Sequence, residues 1–222
     1  MNNHQQLRIG VTIHYRDDYQ SVWENGIFQN CFFLVKLFEK LPNVEFACLL
    51  VDRDTSISLP KTLLMDNENI NILGLDDGME VLNIVIEMSA LLPDEWAHLF
   101  REKGGRYYWM RVGNDYFLDV ERTVYNKPHA ALIGNKKYDA IWTLPEYENS
   151  CKEYFELSVR APVFIAPHIW TPYFLEHGIS SLPYGLKYGY QSGRPRWRVS
   201  VLEPNVSLVK TYLIPILAIE NA

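Results

Sequence analysis

A chain of 222 residues that is 48% hydrophobic, 14% aromatic and 22% charged has the length of one ordinary domain plus part of a second. It can bury a real core, which excludes disordered, collagen-like and coiled-coil classes. A net charge of -6 and a pI near 5.5 give no broad basic field, so no nucleic-acid partner is expected, while a local site for an anionic small molecule stays compatible.

The opening Met1 to Gln6 has no basic n-region or long apolar h-region, and no stretch reaches the roughly 18 to 20 apolar residues of a membrane span. The expected location is cytoplasmic. Cys31, Cys48 and Cys151 are an odd number without C-x-x-C spacing and read as core filler, not as disulfides or zinc ligands.

In chain order, Leu7 to Ile13 is a short apolar run suited to a buried strand. Ile27 to Leu41 follows with Ile27, Cys31, Leu34, Val35 and Phe38 at helix-face spacing, which makes a βα unit. Pro42-Asn43 breaks the helix, and Val44 to Val51 reads as the next buried strand. Further strands are predicted at Asn69 to Leu73, Leu82 to Glu87, Arg106 to Val112, Asp139 to Thr143 and Pro162 to Ala166. Helices are predicted at about Pro93 to Lys103 and Glu146 to Leu157, each with a proline at or near its first position.

Strands that are apolar along their whole length, alternating with amphipathic helices, require a parallel sheet covered on both faces. The predicted fold is therefore α/β, a doubly wound, mostly parallel, Rossmann-like sheet over residues 1 to 177. A Gly-, Pro- and Tyr-rich hinge follows over residues 178 to 196. From Trp197 a strand at Arg198 to Leu202, a Glu203-Pro204-Asn205 turn and a helix at Ser207 to Glu220 read as the first βα unit of a second, truncated α/β domain. That helix is apolar on nearly every side, so a partner covering it is expected.

Ligands of open α/β sheets sit beyond the carboxyl ends of the strands, which directs attention to the residues after each strand. His14 opens a long polar loop; G-x-G-x-x-G and G-x-x-x-x-G-K-[ST] are absent, which disfavours NAD, FAD and a P-loop NTPase. Asn25-Gly26 at the helix start either offers backbone N–H groups to an anion or merely caps the helix. Glu87 could orient a sugar hydroxyl or act as a base, or could serve a nearby backbone N–H or basic side chain. Arg111 to Asp115 ends a strand with a cation, a glycine and polar groups, including Asn114 and Asp115. Trp142 reads as core before stacking platform, and His168 follows the last strand as a lone histidine. Glu203, Asn205 and Lys210 place a polar turn and a lysine at a helix N-terminus, either a phosphate pocket or a capped helix with a solvated lysine.

These residues also carry a resemblance. Ser21-Val22-Trp23-Glu24-Asn25-Gly26-Ile27-Phe28-Gln29-Asn30, Val85-Ile86-Glu87-Met88, Ile141-Trp142-Thr143-Leu144-Pro145, Pro167-His168-Ile169-Trp170 and Glu203-Pro204-Asn205-Val206-Ser207-Leu208-Val209-Lys210-Thr211 resemble, in that order, a bacterial family of uncharacterised proteins regarded as GT-B type glycosyltransferases. Its members are longer, so the resemblance covers an N-terminal domain and the start of a C-terminal one.

It implies transfer of a sugar from a nucleotide-sugar, bound mainly by the C-terminal domain, to a saccharide or lipid-linked acceptor, bound mainly by the N-terminal one. A lipid-linked acceptor would bring peripheral membrane association. No cofactor beyond the nucleotide-sugar co-substrate and no metal are implied, and no D-x-D is present. Glu203, Asn205 and Lys210 would contact donor phosphates. Asn25, Gly26, Gln29, Arg111, Asn114, His168 and Trp170 would contact substrate, with His14, Glu87 and Asp115 as candidate bases. The chain alone is expected to be inactive, because transfer needs both substrates held in register. The alternative is a sugar- or nucleotide-binding module without turnover.

Overall fold

A computed structural model describes residues 6–15, 22, 26–53, 70–113 and 138–167. The chain divides into two units, residues 1–173 and 174–222, and every described residue lies in the first. The predicted hinge and the βα unit after Trp197 fall outside the described residues. So do the site candidates Asn25, Asn114, Asp115, His168, Trp170, Glu203, Asn205 and Lys210.

Among the described residues, seven strands form one sheet. They are β1 (Leu7–Ile13), β2 (Val44–Val51), β3 (Asn71–Leu73), β4 (Ile84–Glu87), β5 (Arg106–Arg111), β6 (Ala140–Thr143) and β7 (Val163–Ile165). Their spatial order is β3-β2-β1-β4-β5-β6-β7, and every neighbouring pair is parallel. The helices are α1 (Gly26–Phe38), α2 (Leu75–Val81), α3 (Asp94–Glu102) and α4 (Glu148–Val159). This is the expected Rossmann-like α/β sheet, with strand ends shifted by one to two residues.

The two-faced burial that made the strands continuously apolar is visible in the core. Ala47, Leu49 and Val51 of β2 join Ile9, Val11 and Ile13 of β1 beneath α1, whose Phe28, Cys31, Phe32, Leu34, Val35 and Phe38 are buried at helix-face spacing. Cys48 and Leu50 point to the opposite face and pack with Val85, Tyr107 and Phe100. Cys151 and Phe155 of α4 cover Trp109, Ile141 and Val163 on that second face. All three cysteines are buried thiols outside any disulfide. Burial pushes the Cys48 thiol up to about 12 and raises Cys31 further, which suits packing and not reactivity.

Two local outcomes differ from the sequence reading. Leu75–Val81 is helical, a segment of seven residues, centred on Gly78, with a pattern too short to register. Leu82 caps it, donating its N–H to the Gly78 carbonyl at 3.1 Å, so β4 begins at Ile84 and not at Leu82. Trp142 is half-buried, packed against the core cluster beneath α1 as expected, and stacked on Tyr108 at 5.5 Å between centroids. Pro93 precedes α3, and Pro145 opens a 3-10 turn, Pro145–Tyr147, that runs into α4.

The exit from α3 is a double-glycine stop. Gly104 sits at φ 89 and donates to the Arg101 carbonyl at 2.9 Å, while Gly105 donates to the Phe100 carbonyl at 3.0 Å, the paired bonds of a Schellman motif. A Cβ on Gly105 would overlap the Phe100 ring, which is buried and stacked on Trp96 at 5.1 Å, so the ring has nowhere to go. Gly105→Ala is expected to cost about 1 to 3 kcal/mol by overpacking, read from the urea midpoint at unchanged m-value.

Candidate functional site

Connections leave β1 toward β2 on one side while its other neighbour, β4, continues the sheet on the other. This reversal is the switch point of an open α/β sheet, where a crevice forms at the carboxyl ends. The residues at that edge are His14 and Tyr15 after β1, Asp52 and Arg53 after β2, and Met88 to Ala90 after β4.

His14 and Asp52 form the central contact. His14 Nδ1 lies 2.6 Å from Asp52 Oδ2, and the Tyr15 N–H donates to Asp52 Oδ1 at 2.9 Å. Both carboxylate oxygens are therefore engaged by the two residues that follow β1, which fixes the Asp52 rotamer. With Nδ1 donating to a carboxylate, Nε2 is the basic nitrogen of the neutral ring. The His14 side chain is 55% exposed and that of Asp52 19%, so the imidazole faces solvent while its anchor is set back. Arg53 packs over the Tyr15 ring at 4.8 Å.

The β4 side of the crevice is stitched to β1. The Thr12 hydroxyl, fully buried, accepts from the Met88 N–H at 2.9 Å and donates to the Ala90 carbonyl at 2.7 Å. The Ser89 N–H donates to the Thr12 carbonyl at 3.3 Å, and Ser89 Oγ accepts from the His14 N–H at 3.4 Å. The loop after β4 thus forms a fixed wall beside His14.

Glu87 is fully buried. Its Oε1 accepts from the Leu92 N–H at 2.6 Å and the Tyr107 hydroxyl at 2.6 Å, and its Oε2 from the Tyr138 hydroxyl at 2.5 Å. Burial first, and the Glu87 charge second, push both phenols far above their ordinary range, so they remain donors. Of the two roles open to Glu87, base or partner of a backbone N–H, this geometry is the second. Glu87 holds residues 88–92 in place from below.

The remaining candidates spread along the same edge. Gly26 is the exposed first residue of α1, and a Cβ there would meet nothing within 4 Å; Gln29 follows in the first turn, half-buried. Arg111 ends β5, with its guanidinium 4.6 Å above the Trp109 ring. Two strand spacings separate β5 from β1, roughly 10 Å. No group of three metal-ligating side chains occurs among the described residues, and no described helix is long and apolar enough to cross a membrane.

Asp52, Arg53, Ser89 and Thr12 were missed in the sequence. Asp52 was within reach of the rule that selected His14 and Glu87, since it is the first polar residue beyond a predicted strand. Its pairing with His14 is a property of the β1–β2 register, Ile13 opposite Val51, and that becomes visible only once the strands are neighbours.

Residues 9–222 match the family model described as Protein of unknown function (DUF2827). No curated protein and no solved structure matches the chain.

Proposed function

The chain belongs to the DUF2827 family, and we propose that it forms the acceptor side of a GT-B type glycosyl transfer, from a nucleotide-sugar to a saccharide or lipid-linked acceptor. His14 is the general base of this reading. Its Nε2 takes the acceptor hydroxyl proton as the acceptor oxygen bonds to the anomeric carbon, and the bond from that carbon to the nucleoside diphosphate breaks, the electron pair leaving with the phosphate oxygen. Asp52 keeps the ring in the required tautomer and offsets the positive charge that develops on it.

The observation that carries the reading is the 2.6 Å His14–Asp52 contact at the carboxyl edge, with the imidazole more than half exposed. Two further points support it. The parallel order β3-β2-β1-β4-β5-β6-β7 places a crevice at the β1/β4 switch point. No glycine-rich turn after β1 claims that crevice for a dinucleotide.

Isothermal titration of the 222-residue chain with a panel of oligosaccharides and nucleotide-sugars tests it. The expected result is saturable binding of an oligosaccharide, weakened tenfold or more by His14→Ala. Nucleotide-sugar binding that ignores His14 would instead favour a binding module without turnover. An absence of saccharide binding would remove the acceptor role.

A further inference from the structure

A cation stands beside the His14–Asp52 pair and takes no part in it. Arg53 follows Asp52 directly after β2 and is exposed, and its guanidinium lies 4.8 Å above the ring of Tyr15, which is itself buried. Ile13 is opposite Val51 in the β1–β2 register, and Tyr15 and Arg53 continue that register by two residues. Tyr15 belongs with Ile13 and Val51 to the core beneath α1, so the stack sits on the α1 side of the strand ends. The backbone is pinned at the same point, because the Arg53 carbonyl accepts the Leu75 N–H at 2.9 Å.

What Arg53 lacks is a carboxylate. Arg8 holds Glu45 at 3.0 Å, and Arg101 and Arg106 share Asp139 at 2.6 and 3.3 Å, whereas no described residue gives the Arg53 guanidinium a hydrogen bond or an ion pair. Its neighbour Asp52 is occupied elsewhere, with one oxygen 2.6 Å from His14 Nδ1 and the other accepting the Tyr15 N–H at 2.9 Å. Asp76 and Asp77, in the first turn of α2, are exposed and form no ion pair with it. A guanidinium stacked on an aromatic face keeps its planar N–H edge for a bidentate acceptor. The stack also lowers the rotamer entropy that remains to be lost on binding.

We infer that Arg53 selects an anionic ligand for this crevice, so that the acceptor of the proposed transfer is an acidic saccharide carrying a carboxylate or a phosphoryl group. The saccharide rests on the acceptor reading above; the charge rests on Arg53. A guanidinium can only donate, in a fork that matches two oxygens of one oxo group, so neutral hydroxyls use it poorly. Its position is that of a ligand contact, at the carboxyl edge beside the switch point and next in the chain to the Asp52 that orients His14. A ligand laid over the ends of β1 and β2 brings a hydroxyl to His14 and its charge to Arg53.

Isothermal titration of the 222-residue chain with glucuronate, glucose 6-phosphate, glucose and uridine diphosphate, at constant ionic strength, tests the inference. One or both acidic sugars are expected to bind at least tenfold more tightly than glucose, and the one that does identifies a carboxylate or a phosphoryl. Arg53→Gln is expected to remove that preference with the melting temperature within about 2 °C of the parent. Arg53→Lys, which keeps the charge without the fork, should retain only part of it. The inference is overturned if neither acidic sugar outbinds glucose, if Arg53→Gln keeps the preference, or if uridine diphosphate alone depends on Arg53, which would move the anion to the donor. Failure of the acceptor reading looks different. If sodium phosphate or sodium acetate binds as tightly as the acidic sugars and with the same dependence on Arg53, the charge selection stands and the acidic saccharide falls with the acceptor. If neutral oligosaccharides bind through His14 with no preference for acid, the acceptor stands and Arg53 loses its role.

Discussion

His14→Gln is expected to lower sugar transfer about 10²- to 10⁴-fold, the usual contribution of a positioned general base, in whatever assembly of this protein turns over. Glutamine keeps a polar side chain of similar reach but cannot take a proton. The His14 side chain is 55% exposed and packs no core, so the melting temperature should stay within about 2 °C of the parent, in line with a surface change of less than about 0.5 kcal/mol. Asp52→Asn separates orientation from basicity. Its amide keeps an acceptor for the Tyr15 N–H, now 2.9 Å away, and turns its NH2 group toward His14 Nδ1. That favours the opposite tautomer, with the proton on Nε2, where the reaction needs a lone pair. A loss of about 10²-fold or more in kcat at nearly constant KM is expected. A His14→Gln protein that transferred sugar at the parental rate would end the proposed role, whatever it did to binding.

The sheet was legible because its physics is local. Phe46 to Val51 is apolar on both faces, and Leu7 to Ile13 sets Leu7, Ile9, Val11 and Ile13 on one face with Gly10 and Thr12 buried on the other, as strands covered twice in a parallel sheet require. The register of β1 on β2 and the core beneath α1 follow from the same pattern. Asn71–Leu73, at three residues, lies within the predicted Asn69 to Leu73, and Leu75–Val81 was lost because two buried positions, Leu75 and Gly78, do not make a period.

The site was half legible. Position after a strand selected His14 and Glu87 alike, yet one is exposed and the other sealed. The difference lies in partners far along the chain, Asp52 for the first and Tyr107 and Tyr138 for the second. No local spacing encodes those meetings. That no described residue pairs with the Arg53 guanidinium was likewise out of reach, because a missing partner is a statement about three-dimensional surroundings and not about sequence.

Glu87 provides the largest expected effect on stability. Glu87→Ala would leave the Leu92 N–H and the hydroxyls of Tyr107 and Tyr138 without their acceptor in a buried pocket, at a cost of about 3 to 5 kcal/mol. Glu87→Gln keeps one oxygen for Leu92 and Tyr107 and offers an NH2 to Tyr138, whose hydroxyl can turn to accept it, so about 1 to 3 kcal/mol is expected. Urea unfolding followed by circular dichroism measures both.

A pH effect follows from the same cluster. Both phenols are raised in the folded protein, so the folded state holds protons that the unfolded chain releases above its ordinary tyrosine pKa of about 10. The stability is fully present below that pH and falls as the solution is made more alkaline. Without the Glu87 charge the phenols are raised less, and the alkaline decline should be shallower in Glu87→Ala than in the parent. A Glu87→Gln chain as stable as the parent but defective in acceptor binding would reverse the assignment and return this carboxylate to the ligand site.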